Sequence, residues 1–132
     1  MAKLTEIMKE MVAGQQCFIG TVNKAGVPNV APKRSTRVLD DETLIFSEGT
    51  GGTTYQNILD GSIVTVAVVN REILDGYRFF CHAEMQESGE LYEQSKAISL
   101  KNNMKPPKAV VLLHVDEIHS LKPGPGAGKK IG

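Results

Sequence analysis

Leu4, Ile7, Met8, Met11 and Val12 recur at i, i+3, i+4, i+7 and i+8, which paints one face of a helix apolar. Gly14 stands where a left-handed cap would end that helix. The period then shortens toward two. Gln16 to Val22 is rich in branched and aromatic residues, Asn23-Lys24-Ala25-Gly26 has turn chemistry, and Pro28 to Leu39 resumes an extended pattern. Asp40-Asp41-Glu42 predicts a second turn and Thr43 to Ser47 a third short strand. Two hairpins in succession predict antiparallel neighbours rather than a crossover fold.

Thr53-x-x-Gln56 has capping-box spacing and predicts a short helix from about Thr54 to Leu59, stopped at Asp60-Gly61. Ser62 to Val69 is a nearly continuous run of apolar β-formers, as expected of a strand covered on both faces. Tyr77 to Gln86 follows as a strand in which Phe79 and Phe80 point to opposite sides. Glu90 to about Lys101 has the pattern of a helix with Leu91, Ala97 and Ile98 available for burial, and Pro106-Pro107 prevents its continuation. Ala109 to Val115 is a last strong strand, bending through Asp116-Glu117 into Ile118 to Leu121. A mostly β fold with flanking helices results. Closing the sheet into a barrel would remove edges that such apolar strands make hazardous. Residues 1–121 form one domain without internal repeats, and the Gly/Pro/Lys-rich tail 122–132 has too little apolar surface to pack, so it is expected to be mobile.

Composition narrows the functional classes. Fifteen basic and fifteen acidic residues balance to a formal charge of zero, which argues against a nucleic-acid partner. The N-terminal segment gains charges early, and no apolar run reaches the roughly 20 residues of a membrane span, so a cytoplasmic protein with no membrane partner is expected. Cys17 and Cys81 lie far apart and are expected to be reduced core thiols. His82, His114 and His119 have no metal-ligand spacing, so no metal site is expected.

Two stretches carry candidate chemistry. Val30-Ala31-Pro32-Lys33-Arg34-Ser35-Thr36-Arg37 concentrates three cations on one expected strand, with Lys33, Ser35 and Arg37 on one face and Arg34 and Thr36 on the other. Cations on both faces are costly in a sheet unless an anionic partner compensates. Beyond one short strand, Glu48-Gly49-Thr50-Gly51-Gly52-Thr53-Thr54 leads into the second helix, where free N–H groups and hydroxyls suit a phosphate. A solvated strand face and a simple helix cap are the bland alternatives for the same residues. Neither a Rossmann nor a P-loop fingerprint fits, because Thr54 stands where the third glycine would be and Gly52-Thr53-Thr54 lacks the lysine.

The order Gly26-Val27-Pro28-Asn29-Val30-Ala31-Pro32-Lys33, then Leu44-Ile45-Phe46-Ser47, then Thr53-Thr54-Tyr55-Gln56-Asn57-Ile58, then Ile63–Val69, resembles the FMN-binding split-barrel family, the pyridoxamine 5'-phosphate oxidase-like proteins. The resemblance covers nearly the whole chain and rests on the arrangement more than on any single motif. It implies a six-stranded antiparallel split barrel, Greek-key-like, forming a two-fold homodimer with FMN at the subunit interface. By the same resemblance Ala31, Pro32, Lys33 and Arg34 would run beside the isoalloxazine and ribityl chain. Ser47, Glu48, Gly49 and Thr50 would meet the ring edge, and Lys33 or Arg34 with Thr53 and Thr54 would hold the phosphate. Two departures stand out: many members place a basic residue just before the second helix, where this chain has Gly52 and Thr53, and there is no tryptophan. Stacking would fall to an aromatic such as Tyr77 or Phe80.

The implied function is a small FMN-dependent oxidoreductase, with a nicotinamide cofactor or another small molecule as second redox partner. True pyridoxamine-phosphate oxidases carry an additional arginine-bearing C-terminal segment where this chain ends in glycines and lysines, so that specific activity is not expected. The rival from another class is a non-enzymatic β-barrel module that takes a nucleotide or other anionic ligand on the Lys33–Arg37 surface.

Overall fold

A computed structural model describes residues 2–132. The elements run α1 (Glu6–Gly14), β1 (Cys17–Val22), β2 (Pro28–Pro32), β3 (Arg37–Asp40), β4 (Thr43–Glu48), α2 (Thr53–Leu59), β5 (Val64–Asn70), β6 (Asp75–Gln86), α3 (Glu90–Lys101) and β7 (Ala109–Ser120). The strands form one antiparallel sheet in the order β2-β1-β5-β6-β7-β4-β3. The architecture is therefore mostly β with three helices; the sheet has seven strands, where the resemblance implied a six-stranded split barrel, and it keeps two edges rather than closing. The extra strand arises because Pro28–Leu39 does not run straight. It breaks at Lys33–Thr36, where the Thr36 amide and hydroxyl both donate to the Lys33 carbonyl, at 3.1 and 2.8 Å.

That break determines the shape of the sheet. β2 and β3 lie at opposite edges, yet only four residues join them. Laid flat, seven strands would hold the edges about 29 Å apart, whereas the link spans at most about 18 Å. The sheet must curl. Accordingly Ile19 of β1, Val66 of β5, Phe79 of β6, Leu113 of β7 and Phe46 of β4, all fully buried, share one core. α1 adds Met8, Met11 and Val12 to that core, while Ile7, expected on the same face, is 58% exposed.

Helix ends depart from the expectations in instructive ways. The capping box lies at α1, where the Thr5 hydroxyl accepts from the Met8 amide and the Met8 sulfur accepts from the Thr5 amide. Gly14 does not cap α1 in a left-handed conformation; the extended Gln15 does the capping. At α2 the cap is Gly52 with no side-chain bond, so Thr53 and Gln56 form no capping box. α3 matches its expected span but turns Leu91, Tyr92 and the buried Ser95 to the outer face of β4 and β7, leaving Ala97 and Ile98 out. Ile45, Val110 and Leu112 receive it there.

Near the end of β7, Asp116 is an extra residue between the Cys81–Val115 and Phe80–Glu117 pairs, so the expected bend is a β-bulge. The tail, expected to be mobile, has backbone partners. It folds back along β7, with Ser120 N donating to Lys129 O at 2.9 Å and Ile118 N to Gly132 O at 3.1 Å. These backbone bonds substitute for the apolar burial the tail lacks, and they cover a stretch of strand that β4 does not reach. Cys17 and Cys81 are buried, unpaired thiols; burial pushes the Cys17 pKa up to about 11. Among the described residues, no helix is long and apolar enough to cross a membrane, and no group of three or more potential ligands could hold a metal ion.

Candidate functional site

The Lys33–Thr36 turn stitches the two edges of the curled sheet together. Lys33 N donates to Cys17 O of β1 at 3.2 Å, while Ser35 exchanges two bonds with Ser47 of β4. The Ser35 hydroxyl accepts from Ser47 N at 2.8 Å and donates to Ser47 O at 3.3 Å. The cations of this segment therefore do not alternate along a strand. They fan out from a turn, and the energetic objection to a two-faced cationic strand disappears with the strand.

Beside the turn lies a cleft of about 550 Å³, within the range typical of small-molecule sites. One wall is the turn itself. The floor is the end of β4 and the loop after it, Ser47 to Thr50, and the far wall is α3 with the segment following it. Pro32, Lys33, Arg34, Ser47, Glu48, Gly49 and Thr50 all line it, so seven expected site residues meet in one place. Ala31 faces inward opposite Ile19 and lies outside the cleft. Thr53 is exposed and Thr54 is buried with its hydroxyl accepting from Asn29 Nδ2 at 3.3 Å; neither lines the cleft.

Electrostatics divide the cleft. Glu48, only 1% exposed, takes Lys33 Nζ on one carboxylate oxygen at 3.1 Å and Gly51 N on the other at 3.2 Å. The pair neutralises Lys33 and pins the loop. Arg37 is different. Its guanidinium donates to Ser35 O at 2.9 Å and to the buried Ser95 hydroxyl at 2.8 Å, and among the described residues it forms no ion pair. Burial holds its pKa below the usual arginine value, since lost hydration is not repaid by a carboxylate. Arg34 and Lys105 add two more cations without an ion-pair partner among the described residues, and Ile98, Met104 and Pro107 make the opposite side apolar. The N–H groups of Gly49 and Thr50 make no hydrogen bond within the described residues. Such a cleft suits a flat, partly apolar ligand that ends in an anion.

Sequence reasoning missed the second wall. Ser95, Asn102, Met104 and Lys105 are 58 or more positions from Arg37, and the available signal was the polar Ser95 on the packing face of α3 beside Leu91 and Tyr92. Of the two candidate stacking aromatics, Tyr77 is half-buried beside Phe79, and Phe80 lies edge-on to His119 with Arg78 above it. Neither lines this cleft.

The fold and the whole chain have clear relatives. The Pyridoxamine 5'-phosphate oxidase family profile matches residues 4–122. HupZ of Group A Streptococcus is 42% identical in sequence and superposes with a TM-score of 0.85, covering 95% of this chain and 99% of that one. An uncharacterized protein of Methanocaldococcus jannaschii is 35% identical over 133 residues, covering 98% of this chain and 88% of its own length. An FMN-binding protein from Syntrophomonas wolfei, 18% identical, shares the fold with a TM-score of 0.72 over 86% of this chain and 82% of that one.

Proposed function

The chain belongs to the pyridoxamine 5'-phosphate oxidase family, and from that premise we propose that it binds FMN in the turn-and-loop cleft and acts as a small flavin-dependent oxidoreductase. The observation that carries this reading is the union, in a single cleft, of an apolar wall with cations and backbone N–H groups that have no ion-pair or hydrogen-bond partner, respectively, among the described residues. The donor set fits the group. The N–H groups of Gly49 and Thr50 are free to donate to the polar edge of the ring system, while Ile98 and Met104 shield its apolar part from water. Arg34, with Lys33 when it lets go of Glu48, serves the phosphate; of the two threonines at the start of α2, the exposed Thr53 is the one left to join them, Thr54 being buried against Asn29. Arg37, held in place by Ser35 and Ser95, presents its remaining donors as fixed positive charge.

Bound FMN would supply hydride or electron transfer at its isoalloxazine, with a nicotinamide cofactor or another small molecule as the second reactant. The chain's own part is to bind, orient and exclude water. A homodimer in the cytoplasm is part of the same proposal. The outer sheet face supports it: Phe18 stands between Pro32 and Ala67, with Val22 and Val30 beside it, and all three are more than 40% exposed. A second copy would cover this apolar surface.

The test is release of bound small molecules from the purified protein, read by mass spectrometry together with flavin absorbance. FMN in about stoichiometric amount is the expected result. A colourless protein that leaves the fluorescence of added FMN unchanged overturns the reading and favours the anion-binding module.

A further inference from the structure

The loop that leads into α2 has no cation of its own sequence, but the fold brings one to it. Lys108, just before β7, donates its backbone N–H to Glu48 O at 2.8 Å, which fixes its Cα beside the loop. Its stem lies across Gly51, whose φ is +75°; a Cβ built there would come within 2.9 Å of Lys108 Cδ and 3.4 Å of Nζ. The ammonium stands 5.1 Å from the centre of the Tyr55 ring on α2. Glycine at 51 suits the positive φ, and its missing side chain leaves room for the lysine that lies over it.

The charge of Lys108 is left over. Among the described residues it forms no ion pair, and the two acids nearby are engaged elsewhere. Glu48 holds Lys33 and Gly51 N, and Glu87 accepts from the Tyr55 hydroxyl at 3.3 Å. Around the same loop are polar groups with spare capacity: the exposed Thr53, and the Thr50 hydroxyl, 3.9 Å from where a Cβ on Gly52 would sit. Lys108 is held by its backbone, and its solvent-exposed ammonium has the Tyr55 face but no carboxylate beside it; with hydroxyls around the same loop, it is a place for a small oxyanion.

We propose that Lys108 is a phosphate-binding residue for FMN, supplying from a distant part of the chain the cation absent from the Gly49–Thr54 segment. The proposal rests on the FMN reading above and adds Lys108 to Arg34 and Lys33 as the cations at the phosphate end of the ligand.

Dissociation constants for FMN and for riboflavin, read by flavin fluorescence in the full-length protein and in the Lys108→Met and Lys108→Arg variants, test it. Methionine keeps the stem over Gly51 and removes the charge. FMN affinity is expected to fall about tenfold in Lys108→Met, with riboflavin changed less than about twofold and Lys108→Arg within about threefold of the parent for both. Equal losses for the two flavins would make Lys108 a packing residue and overturn the proposal, as would an unchanged FMN constant. A parent protein that binds neither flavin overturns the FMN reading and this proposal with it. A parent that prefers FMN, alongside a Lys108→Met variant with the same preference, overturns this proposal alone.

Discussion

Glu48→Gln should lower stability and raise the preference for FMN over riboflavin at the same time. The carboxylate is 1% exposed and the side chain of its partner Lys33 is 20% exposed. Removing one member of a fully buried pair costs about 3–5 kcal/mol, because the other charge is left without compensation. Here Lys33 can turn partly toward water, and glutamine still offers one oxygen to Gly51 N, so the cost should be nearer about 2 kcal/mol. For a chain of 132 residues that corresponds to a fall in Tm of about 8 °C. The ligand effect has the opposite sign. A buried negative charge leaves the cleft and Lys33 is released, so the phosphate of FMN gains attraction that riboflavin, having no phosphate, does not share. Calorimetry of the free protein and flavin titration supply the two readings. A double-mutant cycle with Lys33→Met should return a coupling of about 1–2 kcal/mol. A Tm within about 1 °C of the parent, with no change in flavin preference, would refute the idea that this pair governs both the loop and the cleft.

Replacing Lys33 and Arg34 together with alanine should weaken FMN more than riboflavin in equilibrium titrations; equal losses would remove these residues from the phosphate. Phe18→Asp, on the exposed sheet face opposite Ala67, should shift the proposed dimer toward monomer in sedimentation experiments, and an unchanged mass would exclude that face. Cys17 and Cys81 should resist alkylation at pH 8 until denaturant is added, since burial raises both thiols above their ordinary range. The same shift gives a sign for alkaline stability. The folded thiol of Cys17 holds its proton to about 11 against about 9 when exposed, so its contribution is intact below pH 9 and is lost as pH rises toward 11. Cys17→Ala should flatten that part of the alkaline melting profile.

Element spans were legible in the sequence, as the match at Glu90–Lys101 and the bend at Asp116 show, although the buried face of that helix was not. The Lys33–Thr36 turn was not. Lys-Arg-Ser-Thr contains no glycine, asparagine or proline, and its turn is made by the Thr36 hydroxyl and by Ser35 reaching Ser47, which are tertiary choices. The chemistry of the site was half legible for the same reason. Residues on the turn and the loop after β4 announce themselves as cations and glycines close in sequence, whereas Ser95, Lys105 and Lys108 acquire meaning only once α3 and β7 are packed. The pairing of the tail with β7 was not legible, because backbone pairing, unlike apolar burial, leaves almost no trace in composition.

The four-residue crossing between the two sheet edges acts as a covalent ruler. Because its reach is fixed by bond lengths, the width of the seam cannot grow in response to a bulkier ligand without breaking the Ser35–Ser47 or Lys33–Cys17 bonds. Selection by size in this cleft therefore falls on the side chains of the opposite bank, and evolution of a new ligand range should proceed by residues 98–107 long before it alters the crossing.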